Sequence, residues 1–296
     1  MNPEEREELA LLLPSPGEPV LADDRHDVLK DHLMRELTAP RRASPRRRFA
    51  VIAVPVAAAV VIAAVVVGTK GSGTATTDPE AVDLLNRIAA VAATRKAVSV
   101  RDDQYLYVRT EGFMKFSDQD VRTLRESSWT AVDGKRLGLR RITVLNGPPF
   151  RPRDPFSSYS RGTHEMRLNP DPNVTTFREL EALPTDPDAL LRKIYGDTKD
   201  DRGQALERIG DLLADATLLP ELDAALYRAA AKVPGVSVVA NAEDYAGRSG
   251  VGLAFKGSEG REVWVFGKAD LTYLGSGTEA LLDVGVADKA GVTPPG

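Results

Sequence analysis

The order of hydrophobic and polar positions divides the chain into one uninterrupted apolar run and a longer, patterned region. The run occupies residues 49–67 (FAVIAVPVAAAVVIAAVVV), nineteen positions without a charge, a polar side chain or a glycine. A helix over this run would be about 28 Å long, close to the hydrocarbon thickness of a bilayer. The pattern predicts a transmembrane helix over residues 49–68, with Pro55 where a lipid-embedded helix tolerates a kink.

A buried core helix and a cleaved signal peptide are the alternative interpretations of this run. A core helix of about five turns rarely lacks a polar face. A signal peptide has a short basic start, whereas 48 residues precede the run. The membrane span is therefore the favoured interpretation.

Basic residues lie mostly on the N-terminal side of the run. Five arginines precede it within eight residues, and Lys70 follows it. Cytoplasmic flanks of membrane helices carry the excess of Lys and Arg. The sequence therefore predicts a single-pass protein of the cell membrane, with a cytoplasmic N-terminus and an extracytoplasmic C-terminal domain. The five arginines are Arg41, Arg42, Arg46, Arg47 and Arg48.

The cytoplasmic segment, residues 1–48, has a helical pattern of its own. Apolar positions recur at helical spacing between residues 21 and 37, and three aspartates precede them where negative charge suits the helix dipole. A short amphipathic helix without a core of its own could bind a protein partner. A helix on the membrane face, or a loose juxtamembrane arm, is the alternative. The predicted partner face consists of Val28, Leu29, Leu33 and Leu37.

The region after the run begins with a linker and continues as one large domain. Residues 69–77 are rich in Gly, Ser and Thr, which is typical of a linker, and residues 78–290 form the predicted extracytoplasmic domain. A helix over residues 78–94 starts with Asp78 as its cap and Pro79 at its first position. Alternating patterns joined by short links then predict antiparallel strands over 104–116, 122–132 and 136–145.

Helices and strands are segregated in the second half of this domain. Residues 146–174 contain several prolines without a clear period, which predicts a long loop. Helices that interrupt an antiparallel sheet cover one of its faces, so the fold class is α+β, with a curved sheet and helices packed on one face. The predicted helices are 186–194, 202–218 and 220–232, and the predicted strands are 236–242, 250–256, 261–267, 270–274 and 279–286.

Composition narrows the classes of partner and of stabilising bond. The net charge of the chain is −4, which offers no electrostatic case for a nucleic-acid partner. The chain contains no cysteine, so the outer domain is expected to fold on its hydrophobic core without disulfides. A domain of about 210 residues is large enough for this.

The sequence contains no constellation typical of catalysis or metal binding. Its three histidines include His164, alone in the predicted loop, and no His-Glu-x-x-His motif occurs. The glycine-rich stretch 247–252 lacks the ending of a phosphate loop and predicts a hairpin turn. The aspartates near residue 200 lack the continuation of a calcium loop. The chain is therefore predicted to be a non-enzyme without catalytic residues, cofactor or metal.

Aromatic residues in the predicted strands are the remaining candidates for a binding site. On the concave side of the sheet they could line a pocket for an acyl chain or an apolar peptide. Facing the helices they would be core, which is the favoured interpretation. The candidate lining residues are Tyr105, Tyr107, Trp129, Trp264 and Phe266.

Five segments occur together and carry a family resemblance. They are Asp103–Arg109, Trp129–Gly134, Leu183–Leu191, Val233–Val236 and Asp244–Val251. They resemble a family of actinobacterial single-pass membrane proteins that has no established activity, and the resemblance covers most of residues 20–280. The Leu-Pro-Thr-Asp-Pro and Asp-x-x-Gly-Arg pieces are its most specific parts. The resemblance implies an extracytoplasmic domain similar to the lipoprotein-carrier/sigma-regulator sensor fold, a curved half-barrel with helices in its mouth.

Together these patterns favour a sensor or binding protein of the bacterial cell envelope. The outer domain would bind a ligand, and the N-terminal helices would regulate a cytoplasmic partner, as an anti-sigma factor does. A membrane-anchored carrier or chaperone for lipids or lipoproteins is the alternative. A hydrolase with an unrecognised site is a third hypothesis.

Overall fold

The computed structural model describes residues 78–151, 153, 156–171, 174–258 and 260–294. The predicted cytoplasmic segment 1–48, membrane helix 49–68 and linker 69–77 lie outside these residues. Within the described residues, no helix has the length and apolar character needed to cross a bilayer.

The fold is α+β, as the sequence predicts, and is built on one antiparallel sheet that is open and curled. Nine strands follow the order β4-β3-β2-β1-β9-β8-β7-β6-β5. The strands are β1 Tyr105–Ser117, β2 Asp120–Ala131, β3 Gly138–Val144, β4 Gly162–Leu168, β5 Ser237–Glu243, β6 Ser249–Lys256, β7 Arg261–Phe266, β8 Tyr273–Ser276 and β9 Glu279–Ala287.

Five α-helices accompany the sheet in the described part of the chain, and local sequence accounts for where most of them begin. Asp78, Asp186 and Asp201 each accept a hydrogen bond from a backbone N–H of the helix that follows, which satisfies donors left free in a first turn. The helices are α1 Pro79–Ala93, α2 Phe177–Glu181, α3 Pro187–Thr198, α4 Arg202–Ala216 and α5 Pro220–Ala230.

The last strand lies in the middle of the sheet. β9 pairs antiparallel with β1, with Leu106 opposite Val286 and Val108 opposite Val284. It therefore joins the sheet's first four strands to the four that follow the helices. A register shift between Arg109 and Thr110 interrupts this pairing.

The helices pack against one face of the sheet and form the main core. Leu253, Trp264 and Phe266 belong to the same buried cluster as the apolar residues of α1, α4 and α5. Near β1, Leu106 belongs to a smaller cluster with Phe177 of α2. The sheet is therefore covered by helices along much of its length.

A different segment covers the other face of β1 and β2. Tyr107 and Trp129 stand opposite each other on these strands, with ring centroids 5.2 Å apart. The chain after β9 crosses this pair, because Ala290 contacts it and the Trp129 Nε1–H donates to the Val292 carbonyl at 2.8 Å. The predicted end of the domain at residue 290 thus falls within a segment that seals this face.

One predicted element is wrong. Residues 162–168, placed in a long loop, form β4, which pairs with β3 from Gly138 to Val144. β4 is an edge strand with no fully buried residue, and the alternation of Met166 and Leu168 on its half-buried face is too short to predict a strand. His164 consequently lies in a strand, where its Nε2 is 2.8 Å from the Ser160 carbonyl oxygen.

The most specific pieces of the family resemblance have structural roles. In the Asp-x-x-Gly-Arg piece, buried Asp244 pairs with Arg248. The Arg248 guanidinium also donates to the carbonyls of Leu274 and Leu281 at 2.7 Å each. The turn between β5 and β6 is thereby tied to β8 and β9. In the Leu-Pro-Thr-Asp-Pro piece, Asp186 caps α3.

Candidate functional site

A continuous groove runs between α4 and the helix-facing side of the sheet. Two adjoining cavities form it, one of about 230 Å³ beside β1 and β2 and one of about 520 Å³ beside β7, β8 and β9. Thr110, Ala214 and Glu279 line both cavities. We call this feature the α4 groove. Its size falls in the range of small-molecule sites.

One face of α4 supplies an acidic stripe to the groove. Glu207, Asp211 and Asp215 follow one another at intervals of four residues, so they lie on one side of the helix. Gly210 and Ala214 separate them and leave room for the groove. Like charges four residues apart destabilise a helix. The stripe therefore costs α4 stability.

The sheet supplies three further carboxylates from separate strands. Glu126 of β2 stands opposite Thr110 of β1, and Glu279 of β9 stands opposite Gly112. Glu262 lies on β7 in the larger cavity. These residues are far apart in sequence, and the strand order alone brings them to one groove.

Positive charge is absent from the residues that line the two cavities. Arg140 approaches from β3 and pairs with Glu126 at 2.6 Å. Glu207 accepts a hydrogen bond from the Ser258 hydroxyl at 2.8 Å. By contrast, the side-chain carboxylates of Asp211 and Asp215 accept no hydrogen bond from any residue in the described part of the chain. Two carboxylates of the stripe are thus available to a ligand.

Burial shapes the protonation of the deepest of these groups. Asp215 is partly buried beside Phe177 and Thr175. Removal of water from its carboxyl raises the pKa of Asp215 to about 6, because burial disfavours the charged form. Asp215 is therefore partly protonated in mildly acidic solution.

The other acidic groups of the groove influence one another. Burial raises the pKa of Glu279 and a hydrogen bond with Thr110 lowers it, while the charges of Glu126 and Asp211 raise it and that of Arg140 lowers it. Burial likewise raises the pKa of Asp211, with Arg208 acting in the opposite direction. Burial is the largest cause of both shifts, and a neighbouring carboxylate adds to each of them.

An aromatic wall closes the groove beside β7. Trp264 is only 3% exposed and packs against Phe255 with ring centroids 5.0 Å apart. Its Nε1 lies so close to α4 that a Cβ on Gly210 would be 2.8 Å away. No group in the described ranges accepts a hydrogen bond from this Nε1–H. The Nε1 is not among the fully buried atoms of the described residues that lack a partner, so water or a ligand in the groove can reach it.

The five aromatic residues predicted as candidate lining fall into three environments. Trp264 lines the α4 groove. Phe266 is fully buried in the helix-facing core against Tyr227. The remaining three lie on the opposite face of the sheet, near the segment after β9: Tyr105, Tyr107 and Trp129. The predicted partner face of Val28, Leu29, Leu33 and Leu37 lies outside the described residues.

Sequence reasoning missed the carboxylates that characterise the groove. The spacing of Glu207, Asp211 and Asp215, with small residues between them, was the available signal. It indicates a helix face that is acidic and unusually flat. The strand carboxylates had no comparable local signal, because they come from three separate elements.

A second polar cluster is enclosed between α1 and α5. Asp223 is fully buried and pairs with Arg95 at 2.8 Å. Burial raises the pKa of Asp223 to about 7, while Arg95 lowers it. The Tyr227 hydroxyl and one oxygen of Asp223 have no hydrogen-bond partner among the described residues. The cluster lines none of the cavities described above, so the α4 groove is the better candidate for ligand binding.

Another cavity, of about 550 Å³, lies at the start of α4. Asp201 lines it, but the Asp201 carboxylate already accepts a hydrogen bond from the Gln204 N–H as the helix cap. Part of its polar lining is thus already used in a hydrogen bond within the protein.

Comparison with known proteins adds no candidate site, since no family model, curated protein or solved structure matches the chain.

Proposed function

We propose that the chain is a membrane-anchored binding protein of the cell envelope, which takes up a ligand in the α4 groove. The domain from residue 78 to 290 would lie outside the membrane, and a ligand bound there would regulate a cytoplasmic partner through residues 1–48. An anti-sigma-like regulator is the concrete form of this proposal.

One observation carries the proposal: the α4 groove is open, yet it contains carboxyl groups that no described residue pairs. Partly buried carboxyls without partners destabilise a fold, and such groups concentrate at binding sites. Asp215 has this character in the smaller cavity, and Trp264 lines the larger cavity with an N–H that no described residue accepts. A structural core has no need of either feature.

An anchored carrier for lipids or lipoproteins is the alternative function. The apolar part of the larger cavity favours it, since Phe255, Trp264 and Leu281 could contact an acyl chain. The acidic stripe weighs against it, because an acyl chain would leave those carboxylates without compensation. The sensor is therefore the leading proposal.

Native mass spectrometry of the full chain in lipid nanodiscs, after exposure to an envelope extract, tests the binding step. Ala214 lines both cavities, so Ala214→Trp is expected to fill the groove and abolish ligand retention. Ala93→Trp is the matched control, since Ala93 is exposed at the end of α1. A chain that stays empty, or equal retention by both variants, would overturn the proposal. A retained neutral lipid would favour the carrier.

The signalling step has its own test. Residues 1–48 serve as bait in a pull-down from cytoplasm, with a variant that carries Leu29→Ser and Leu33→Ser as control. We expect a specific protein that the variant does not recover. Failure to recover one would remove the regulatory part of the proposal and leave the binding part intact.

A further inference from the structure

We propose that the ligand of the α4 groove is an organic polycation, a molecule with two or more ammonium groups. This inference rests on the proposed binding function and adds the chemical class of the ligand. It follows from the charge, spacing and hydrogen-bonding groups of the groove walls.

Charge comes first. Six carboxylates line the two cavities, and no lysine, arginine or histidine does. Arg140 offsets Glu126 from β3, and Arg208, bound to the Thr175 hydroxyl at 2.9 Å, stands near Asp211. With Glu262 left aside, five carboxylates face these two cations, so the groove keeps a net negative charge. A site of this kind concentrates cations and repels anions.

The spacing of the carboxylates along α4 favours a ligand with more than one positive charge. Glu207, Asp211 and Asp215 succeed one another along α4 at about 6 Å per turn, so the stripe extends over about 12 Å. Glu279 lies between the two cavities on the sheet side. Ammonium groups separated by three or four methylenes, or by a sugar ring, match such an interval. The described residues contain no group of acids and histidines close enough to hold a metal ion, which favours an extended organic cation.

The larger cavity also contains uncharged hydrogen-bonding groups. Trp264, 3% exposed, offers an indole N–H without a protein acceptor, and hydroxyls of Thr110, Ser276 and Thr278 line the same cavity. An acceptor oxygen on the ligand would satisfy the indole. Two sources share the polyamine chemistry: linear aliphatic polyamines, and amino sugars that carry hydroxyls as well as amines.

Isothermal titration of the full chain in nanodiscs of neutral lipid, at fixed ionic strength, tests the inference. Spermidine and kanamycin represent the two sources, and butylamine is the single-amine control. We expect saturable binding of at least one polyamine and none of butylamine. Preference for kanamycin would assign the Trp264 N–H to a ligand oxygen, and preference for spermidine would assign the site to linear amines.

Matched variants locate the binding. Asp215→Asn is expected to weaken polyamine binding by about tenfold, the value of one charge-assisted hydrogen bond. Asp83→Asn removes a charge at an exposed position of α1 and should leave binding unchanged. Equal losses in both variants, or equal binding of butylamine, would indicate a diffuse charge effect and overturn the inference.

The dependence on pH provides a second readout. Protons compete with the cation for Asp215, so affinity should rise as pH increases through about 6. The charged groups around it are Asp211 and Arg208 on α4, Glu126 with Arg140 from the sheet, and Glu279. Affinity independent of pH would contradict the role of Asp215.

Failure of this inference remains distinguishable from failure of the proposed function. If Ala214→Trp loses an envelope ligand but no polyamine binds, the binding function stands and the ligand class is wrong. If neither a ligand nor a polyamine binds, both proposals fail.

Discussion

At the scale of single residues, Asp215 links the candidate site to the stability of the fold. Its pKa is about 6 in the folded chain and about 3.8 as an ordinary carboxyl. Between these values the folded chain binds more protons than the unfolded chain, so stability falls as pH rises from about 4 to about 6 and stays low above that. Ionisation of Asp215 thus lowers the stability of the empty protein at neutral pH.

Asp215→Asn is therefore expected to stabilise the empty protein at pH 7. The gain should be about 1–2 kcal/mol, below the full pKa shift because the groove admits water, and it should disappear near pH 4. Chemical denaturation of the full chain at both pH values measures it, with Asp83→Asn as reference. Destabilisation at pH 7 would mean that Asp215 has a structural partner, contrary to a site kept free for a ligand.

At the scale of elements, the turn between β5 and β6 depends on one guanidinium. Arg248→Met would leave Asp244, which is 4% exposed, without its ion pair and two strand carbonyls without a donor. Because the Arg248 side chain is 38% exposed, the loss should cost less than in a fully buried pair, about 2 kcal/mol. Urea unfolding measures the effect, and Arg261→Met, at the exposed first position of β7, is the control. Equal stability of the two variants would show that the turn needs no such tie.

The elements also show how far sequence reasoning extends. Most helices and strands follow from periodicity and capping: Asp78 and Asp201 start helices, and alternation around Tyr107 marks β1. β4 was missed because only one of its faces is half-buried and that face carries only two apolar residues, Met166 and Leu168. α2 was not predicted because a helix of five residues, Phe177–Glu181, shows little more than one turn of any periodic pattern.

The groove could not be predicted as a site, because its position depends on which segment of the chain packs against each face of the sheet. Trp129 and Trp264 have similar strand contexts, yet the chain after β9 covers the first and α4 covers the second. Alternation shows that two residues share a face but does not show what packs on that face. The carboxylates of β2, β7 and β9 meet α4 only through strand order.

At the scale of the whole molecule, β9 holds the sheet together. A chain that ends at Thr278 would lack the strand between β1 and β8, and the cover of Trp129 as well. We expect such a chain to lose cooperative unfolding, as measured by circular dichroism during urea titration. Removal of residues 295 and 296 alone is the control and should leave unfolding unchanged. A cooperative transition in the shorter chain would show that its two groups of strands are stable without β9.

The central place of β9 also sets when this domain can finish folding. β1 emerges early from the ribosome, but β9, which pairs with it, follows about 170 residues later. At about 5–20 residues per second, this strand edge waits on the order of ten seconds or more for its neighbour. Pairings between such distant segments also form slowly, because a long loop must close first. During that interval β1 is a natural target for chaperones, so the cell's capacity to protect a half-made sheet would limit the yield of the protein.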